Sequence, residues 1–421
     1  MKLRYGLNDR PPVAETAVYA LQWLAVALPF IIIIGLVSAG DHLADPGFRT
    51  VYLQKATFVT GLLLLGQALF GHRLTLVAGP SAALLLGIVG SRTSPDAIYT
   101  SVAICGLILA FISAAGFFGV LRNLFTPRVI TAVLLLIAFT MTPTIVRMLT
   151  TGSGGSVAER LVFAALYILA LFVAHGLLTA AGRALLIIAG MAAGTAGFWV
   201  IFGIADYAGN LTLWKPFFTG LTTPVFDTGT IISFLFCFVA LSLNEIGSMQ
   251  ALIPLMQPEG MDGRIKKGLI MAGGVNAAAG MLGVIGPVDY SLSPGVIAAS
   301  GCGSRFPLLP AACFLLLASF SPAVLGLAGA IPPTVVGGIL VYTLAWQIAA
   351  GLISAFSGRS FSFEDGLVIG LPILAGTVAA LLPLEVVAEF PLFFRPLAGN
   401  GFVIGVVAVL ILDRVFPRPS P

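Results

Sequence analysis

The chain has 421 residues, of which 58% are hydrophobic and 9% charged, and its formal net charge is +4. A mean hydropathy of +1.06 excludes an ordinary soluble domain. The basic residues are scattered singly rather than gathered on one face, which excludes a nucleic-acid footprint. What remains is an all-α polytopic membrane protein embedded in a lipid bilayer.

In chain order, the polar segment 1–12 lacks a small-residue cleavage site, so the first apolar run is expected to serve as the insertion signal. Apolar runs then predict spans at 17–39, 51–70, 74–90, 97–121, 127–148, 158–179, 183–204, 229–252, 265–284, 286–303, 306–328, 332–354, 364–383 and 397–416. These are fourteen transmembrane segments. A seven-span repeat re-enters from the opposite side, so 1–204 (spans 1–7) and 229–416 (spans 8–14) are expected to form an inverted repeat. Two landmarks agree on the offset. Gly79-Pro80 recurs as Gly286-Pro287 after 207 residues, and Pro127 recurs as Pro333 after 206.

This alternation places fourteen of the 21 Lys and Arg residues on the side of both termini and seven on the other, which predicts cytoplasmic termini. Loops are short except 206–227, whose Trp214, Phe217 and Phe218 suit the outer interface. The cysteines Cys105, Cys237, Cys302 and Cys313 lie in or beside apolar runs without CxxC spacing. They read as buried small hydrophobes, and neither a metal site nor a cofactor is expected.

The third and tenth spans are poor membrane helices. In the tenth, Pro287 to Leu292 reads as extended, with a half-helix opening at Ser293-Pro294-Gly295, where serine suits an N-cap and proline the first turn. In the third, Pro80 breaks the span before Ser81-Ala82. About five extended residues and ten helical ones span about 31 Å, one hydrocarbon thickness. Irregular backbone at that depth survives only where protein or a wet cavity surrounds it, the arrangement of substrate sites in secondary transporters. The alternative is that the Gly-Pro pairs merely kink ordinary spans.

Glu245 lies in the middle of the eighth span, where insertion of a carboxylate costs roughly +3 kcal/mol. It reads as a substrate acceptor, a proton carrier or both, against the plainer reading of a structural acid. Asn244 and Ser248 share one helix face, and Glu245 and Met249 the next. Candidate substrate contacts are Glu245, Asn244, Ser248, the half-helix starts Ser81, Ala82, Ser291, Leu292 and Ser293, and the pair Gln22 and Trp23. Asp289 reads equally as a site residue or a local cap. His72 and His42 fall in loops, and no His/Cys/Asp metal cluster is visible in the sequence. No Ser-His dyad, HExxH motif or paired aspartates are seen either, so no catalytic residues and no enzyme are expected.

At these residues the chain resembles the nucleobase/ascorbate transporter family, the nucleobase–cation symporters of the uracil and xanthine permease type. Tyr5-Gly6-Leu7-Asn8-Asp9-Arg10-Pro11-Pro12 with Leu21-Gln22 is similar to that family's start, although Trp23 stands where a histidine is usual. Gly79-Pro80-Ser81-Ala82-Ala83 resembles its third-span motif, and Leu397-Ala398-Gly399-Asn400-Gly401 its last span. Leu292 to Gly301 keeps little of the family's tenth-span signature, and alignment on Gly247-Ser248 puts Asn244, not Glu245, at the binding-glutamate position.

The resemblance implies a fourteen-span fold with a core (spans 1–4 and 8–11) and a gate (spans 5–7 and 12–14). It also implies proton-coupled symport of a nucleobase across the bacterial inner membrane by alternating access, and a homodimer through the gate. The alternatives are a sulfate-type anion transporter of the same fold, or a transporter of another small planar solute.

Overall fold

The computed structural model describes residues 3–38, 46–91, 93–116, 126–152, 154–178, 180–203, 212–218, 220–290, 293–326, 330–356, 361–391 and 394–416. The chain is predominantly helical. The first half holds α1 (Val13–Ser38), α2 (Pro46–Leu69), strand β1 (Ala78–Pro80), α3 (Ala82–Gly90), α4 (Pro95–Ala114), α5 (Pro127–Thr140), α6 (Thr142–Thr150), α7 (Val157–Leu177) and α8 (Ala180–Phe202). The second holds α9 (Thr228–Gln250), α10 (Ile253–Met256), α11 (Met261–Met281), strand β2 (Pro287–Asp289), α12 (Ser293–Ser300), α13 (Leu308–Ala318) and α14 (Pro322–Gly326). It ends with α15 (Pro333–Phe356), α16 (Phe363–Ala380), α17 (Leu384–Glu389), α18 (Arg395–Ala398) and α19 (Gly401–Val415).

Local chemistry sets many of these starts. Ser94 caps α4 ahead of Pro95, and Thr126 caps α5 ahead of Pro127, the position at which proline loses no needed donor. Reciprocal capping boxes, Ser156 with Glu159 and Ser362 with Asp365, open α7 and α16. Among the described residues, seven helical stretches are long and apolar enough to cross a membrane: α1, α4, the α5–α6 run, α7, α9, α15 and α16.

The helices pack as two groups. In one, α4 lies on α11 and α2 on α13, with α1 and α9 alongside. The α4–α11 contact is backbone on backbone. A Cβ on Gly106 would stand 2.6 Å from the Ala277 nitrogen, and one on Gly280 would stand 2.4 Å from that of Ala103. Small residues let membrane helices approach this closely. Gly106→Val is therefore expected to cost about 1–3 kcal/mol through overpacking, seen as a lower unfolding temperature in detergent. An unchanged temperature would contradict the contact.

In the other group α5, α15, α16 and α19 pack together. Arg128 is its buried hub: the guanidinium bonds Asp365 Oδ1 and the Phe416 carbonyl (2.6 Å), with Asp413 3.9 Å away. Lys215, Phe217 and Gly220 are fastened to α2. Gln54 donates to the Lys215 carbonyl and Lys55 to that of Gly220, while Phe217 is fully buried against Phe58 and Phe320. One expectation fails. Cys105, Cys237 and Cys302 are buried, but Cys313 is exposed on α13, on an outward face it shares with Phe314 and Leu317. A small apolar thiol suits such an apolar face as well as it suits a core.

Candidate functional site

Two short strands meet in the middle of the first helix group. β1 and β2 pair antiparallel in the register Ala78↔Asp289, Gly79↔Val288 and Pro80↔Pro287. The proline carbonyls are satisfied by side chains, Pro80 by the Tyr290 hydroxyl and Pro287 by the Asn276 amide, each at 2.9 Å. Those contacts need glycine nearby. A Cβ on Gly79 would fall 2.4 Å from the Tyr290 oxygen, and one on Gly286 would fall 1.7 Å from Asn276 Oδ1.

Each strand leads into a helix, α3 two residues on and α12 four residues on, so the two helix N-termini lie at opposite ends of the ribbon. Ser81 caps α3, its Oγ accepting from the Leu84 N–H at 3.4 Å, and its own N–H donates to the Gly286 carbonyl. Ser293 Oγ accepts the Val77 N–H at 3.0 Å and donates to the Tyr290 carbonyl at 2.9 Å, tying β1 to the start of α12. Ser81 thus holds the ribbon through its backbone N–H and Ser293 through its side chain. Ala82 and Pro294 are half-buried in the first turns, Gly295 follows Pro294, and Ser291 and Leu292 lie outside the described residues. On α1, Gln22 is half-buried and Trp23 buried. A ring from α1 that meets the ribbon is Phe30, edge-on to Tyr290 at 4.9 Å, a residue the sequence reading passed over.

Beside the ribbon lies a closed polar cluster. Glu245 on α9 has no exposed surface. Its Oε1 accepts from the Gln67 amide of α2 at 2.8 Å, and its Oε2 accepts the Asp289 backbone N–H at 2.9 Å. Asp289 Oδ2 lies 2.7 Å from His72 Nε2, while Asp289 Oδ1 is buried with no hydrogen-bond partner. The Asp289 carbonyl accepts from Ser248 Oγ at 2.9 Å and from the Asn244 amide at 3.4 Å. Asn244 is half-buried and Ser248 buried, so both α9 faces meet the ribbon, one through its backbone and the other through the acid.

His72 does lie in the loop between α2 and β1, but the reading that it belongs to no cluster is overturned. Its ring has no exposed surface, and one of its ring nitrogens and one carboxylate oxygen each from Glu245 and Asp289 lie within 4.8 Å of one another. Such a donor set raises the question of a metal ion. His72 Nδ1 accepts the Leu74 N–H at 2.8 Å, so the neutral ring carries its proton on Nε2 and donates it to Asp289. Neither ring nitrogen keeps a free lone pair for an ion. The chemistry is that of a buried acid network.

Residues 14–385 match the family model Xan_ur_permease, described as a permease family. The uric acid permease PucJ of Bacillus subtilis is 26% identical over 340 residues, 78% of this chain and 75% of that protein. The xanthine permease XanP of Escherichia coli is 24% identical across 99% of this chain and 95% of its own length. Among solved structures, the transmembrane domain of the cyanobacterial bicarbonate transporter BicA superposes with a TM-score of 0.67 at 17% identity, covering 90% of this chain and all of that one. The murine anion transporter Slc26a9 in its inward-facing state gives 0.60 at 14% identity, covering 95% of this chain and 69% of that one.

Proposed function

The chain belongs to this permease family and is a multi-pass membrane transporter, and we propose that it carries a nucleobase by proton-coupled symport. The names of its relatives point to an oxidised purine such as xanthine or uric acid. The observation that carries the coupling is the complete burial of Glu245 against Gln67 and Asp289, next to the half-buried Asn244 and one turn of α9 from Ser248. In this reading Asn244, Ser248, the starts of α3 and α12 (Ser81 and Ala82; Ser293) and the α1 pair Gln22 and Trp23 frame the substrate. Glu245 belongs to the coupling machinery.

The proposal includes fourteen segments in two inverted sevens, 1–204 and 229–416, with the third and tenth broken at Pro80 and at Pro294-Gly295. Two features support it. Pro80 pairs with Pro287, the residue 207 positions later, as a two-fold axis between them requires. The contacts of α4 with α11 and of α2 with α13 exchange under the same offset. Spans 1–4 and 8–11 would form the core, moving against a gate of spans 5–7 and 12–14. Cytoplasmic termini, an inner-membrane location and a homodimer through the gate complete the reading.

A second reading, anion transport, is favoured by the titles of the solved structures sharing this fold. Two buried acids beside a neutral imidazole oppose it. Proteoliposomes with an inward proton gradient, offered labelled xanthine, uric acid, hypoxanthine, adenine, uracil, sulfate and bicarbonate, decide between them. Accumulation of a base that collapses on adding an uncoupler is expected. Uptake of sulfate or bicarbonate alone would replace the symport reading with the anion one.

A further inference from the structure

We propose that the coupling proton resides on Asp289 Oδ1, in a carboxyl pair with Glu245 whose geometry is set by His72. The inference rests on the symport reading and adds the atom that holds the proton and the residues that keep it there.

The argument is one of donors and acceptors. Glu245 uses both oxygens as acceptors, Oε1 toward the Gln67 amide and Oε2 toward the Asp289 N–H. That suits the carboxylate, which only accepts. Gln67 is held in this orientation because its Oε1 accepts the His72 N–H at 3.2 Å while its amide also donates to the Gly268 carbonyl at 3.1 Å. Asp289 is different. One oxygen receives the His72 Nε2–H, and the other faces no donor although it is wholly buried. An ionised oxygen left so would be an uncompensated buried charge, whereas a protonated one is a neutral hydroxyl, and a carboxylate oxygen of Glu245 lies within 4.8 Å of one of Asp289.

The charge balance points the same way. Facing the pair are His72, from the α2–β1 connection, and the neutral groups Gln67, Asn244 and Ser248. Two cations stand on the loop side: Arg264 of α11 bonds the His72 carbonyl at 2.8 Å, and Arg305 bonds the Ala68 carbonyl at 2.8 Å. Both guanidiniums are engaged with backbone oxygens rather than with the acids. His72 cannot take up a second proton without giving up the Leu74 N–H at its Nδ1. Two ionised carboxylates this close, with no cation between them, repel strongly in a low dielectric, so the pair retains one proton. Asp289 also lies in the ribbon and offers its carbonyl to Ser248 and Asn244 on α9. A change of charge at its side chain is thereby felt at the backbone beside the proposed substrate position.

Two measurements test this. Asp289→Asn places an amide N–H where the acid holds its proton, so the variant should fold with an unfolding temperature near that of the wild type. Its steady-state accumulation of the substrate under an inward proton gradient should fall to unity. Infrared spectroscopy of the wild type should show a protonated-carboxyl C=O band that is absent from Asp289→Asn, a readout that does not depend on transport. His72→Phe, which removes the donor to Asp289, should move the pH profile of uptake to more alkaline pH, and His72→Gln should partly restore it.

Persistent proton-driven accumulation by a folded Asp289→Asn protein would overturn the assignment of the proton while leaving symport intact. So would the same infrared band in both proteins. Wild-type accumulation that ignores the uncoupler would overturn symport and the proton site together.

Discussion

Glu245→Gln is expected to abolish accumulation driven by a proton gradient and to lower thermal stability as well. The reason is the pair of donors aimed at Glu245. The Gln67 amide and the Asp289 N–H each occupy one carboxylate oxygen. A glutamine offers only one oxygen, so its own N–H must confront one of the two donors inside a site with no access to water. A buried polar group left unpaired in this way costs about 1–3 kcal/mol. Thermal unfolding in detergent, measured alongside uptake in proteoliposomes, separates the two effects. Undiminished pH-driven accumulation would remove Glu245 from the coupling machinery. This substitution is chemically unlike Asp289→Asn, in which the new amide meets an acceptor, and the contrast between them is itself diagnostic.

Arg128→Ala is expected to destabilise the second helix group by about 3–5 kcal/mol, the usual consequence of removing one partner from a buried ion pair. Arg128 is 4% exposed and holds Asp365 of α16, the Phe416 carbonyl past the end of α19, and, at 3.9 Å, Asp413. Without it, Asp365 keeps its capping bond with Ser362 but loses its countercharge. Replacing both partners by apolar residues of similar size, as in Arg128→Met with Asp365→Leu, should recover much of the loss, because no lone charge then stays buried. Denaturation of the two single variants and the double variant measures this directly. Additive losses would show that the pair contributes nothing as a pair.

Most of what identifies the molecule was legible in the chain as written. The hydropathy and the order of the motifs from Tyr5 to Gly401 were sufficient to name the permease family and to exclude an enzyme. Glu245 stood out for a simple reason: an acid in an apolar run is costly enough that its presence asks for an explanation. Asp289 was visible but ambiguous, since an acid beside a proline also caps turns. His72 went unseen as a partner because nothing in its local pattern, Phe70-Gly71-His72-Arg73, separates a buried turn from a surface loop. Gln67 did leave a signal that could have been used, a lone amide inside the apolar run Leu62 to Leu69. Its meaning depends on residues about two hundred positions away.

That separation marks the division between the two kinds of information. The sequence by itself determined the membrane class, the family, the approximate positions of the apolar helices and the presence of an acid that has to be accommodated, because these follow from composition and local pattern. Only the tertiary structure decided that Gln67 and His72 of the first half enclose Glu245 and Asp289 of the second. It alone showed that His72 bears its proton on Nε2, since that depends on the Leu74 N–H at the other ring nitrogen. Hydrogen-bond donors and acceptors are assigned by neighbours in space, and a carboxyl's protonation depends on burial and nearby charge, neither of which is written in the order of residues along one helix.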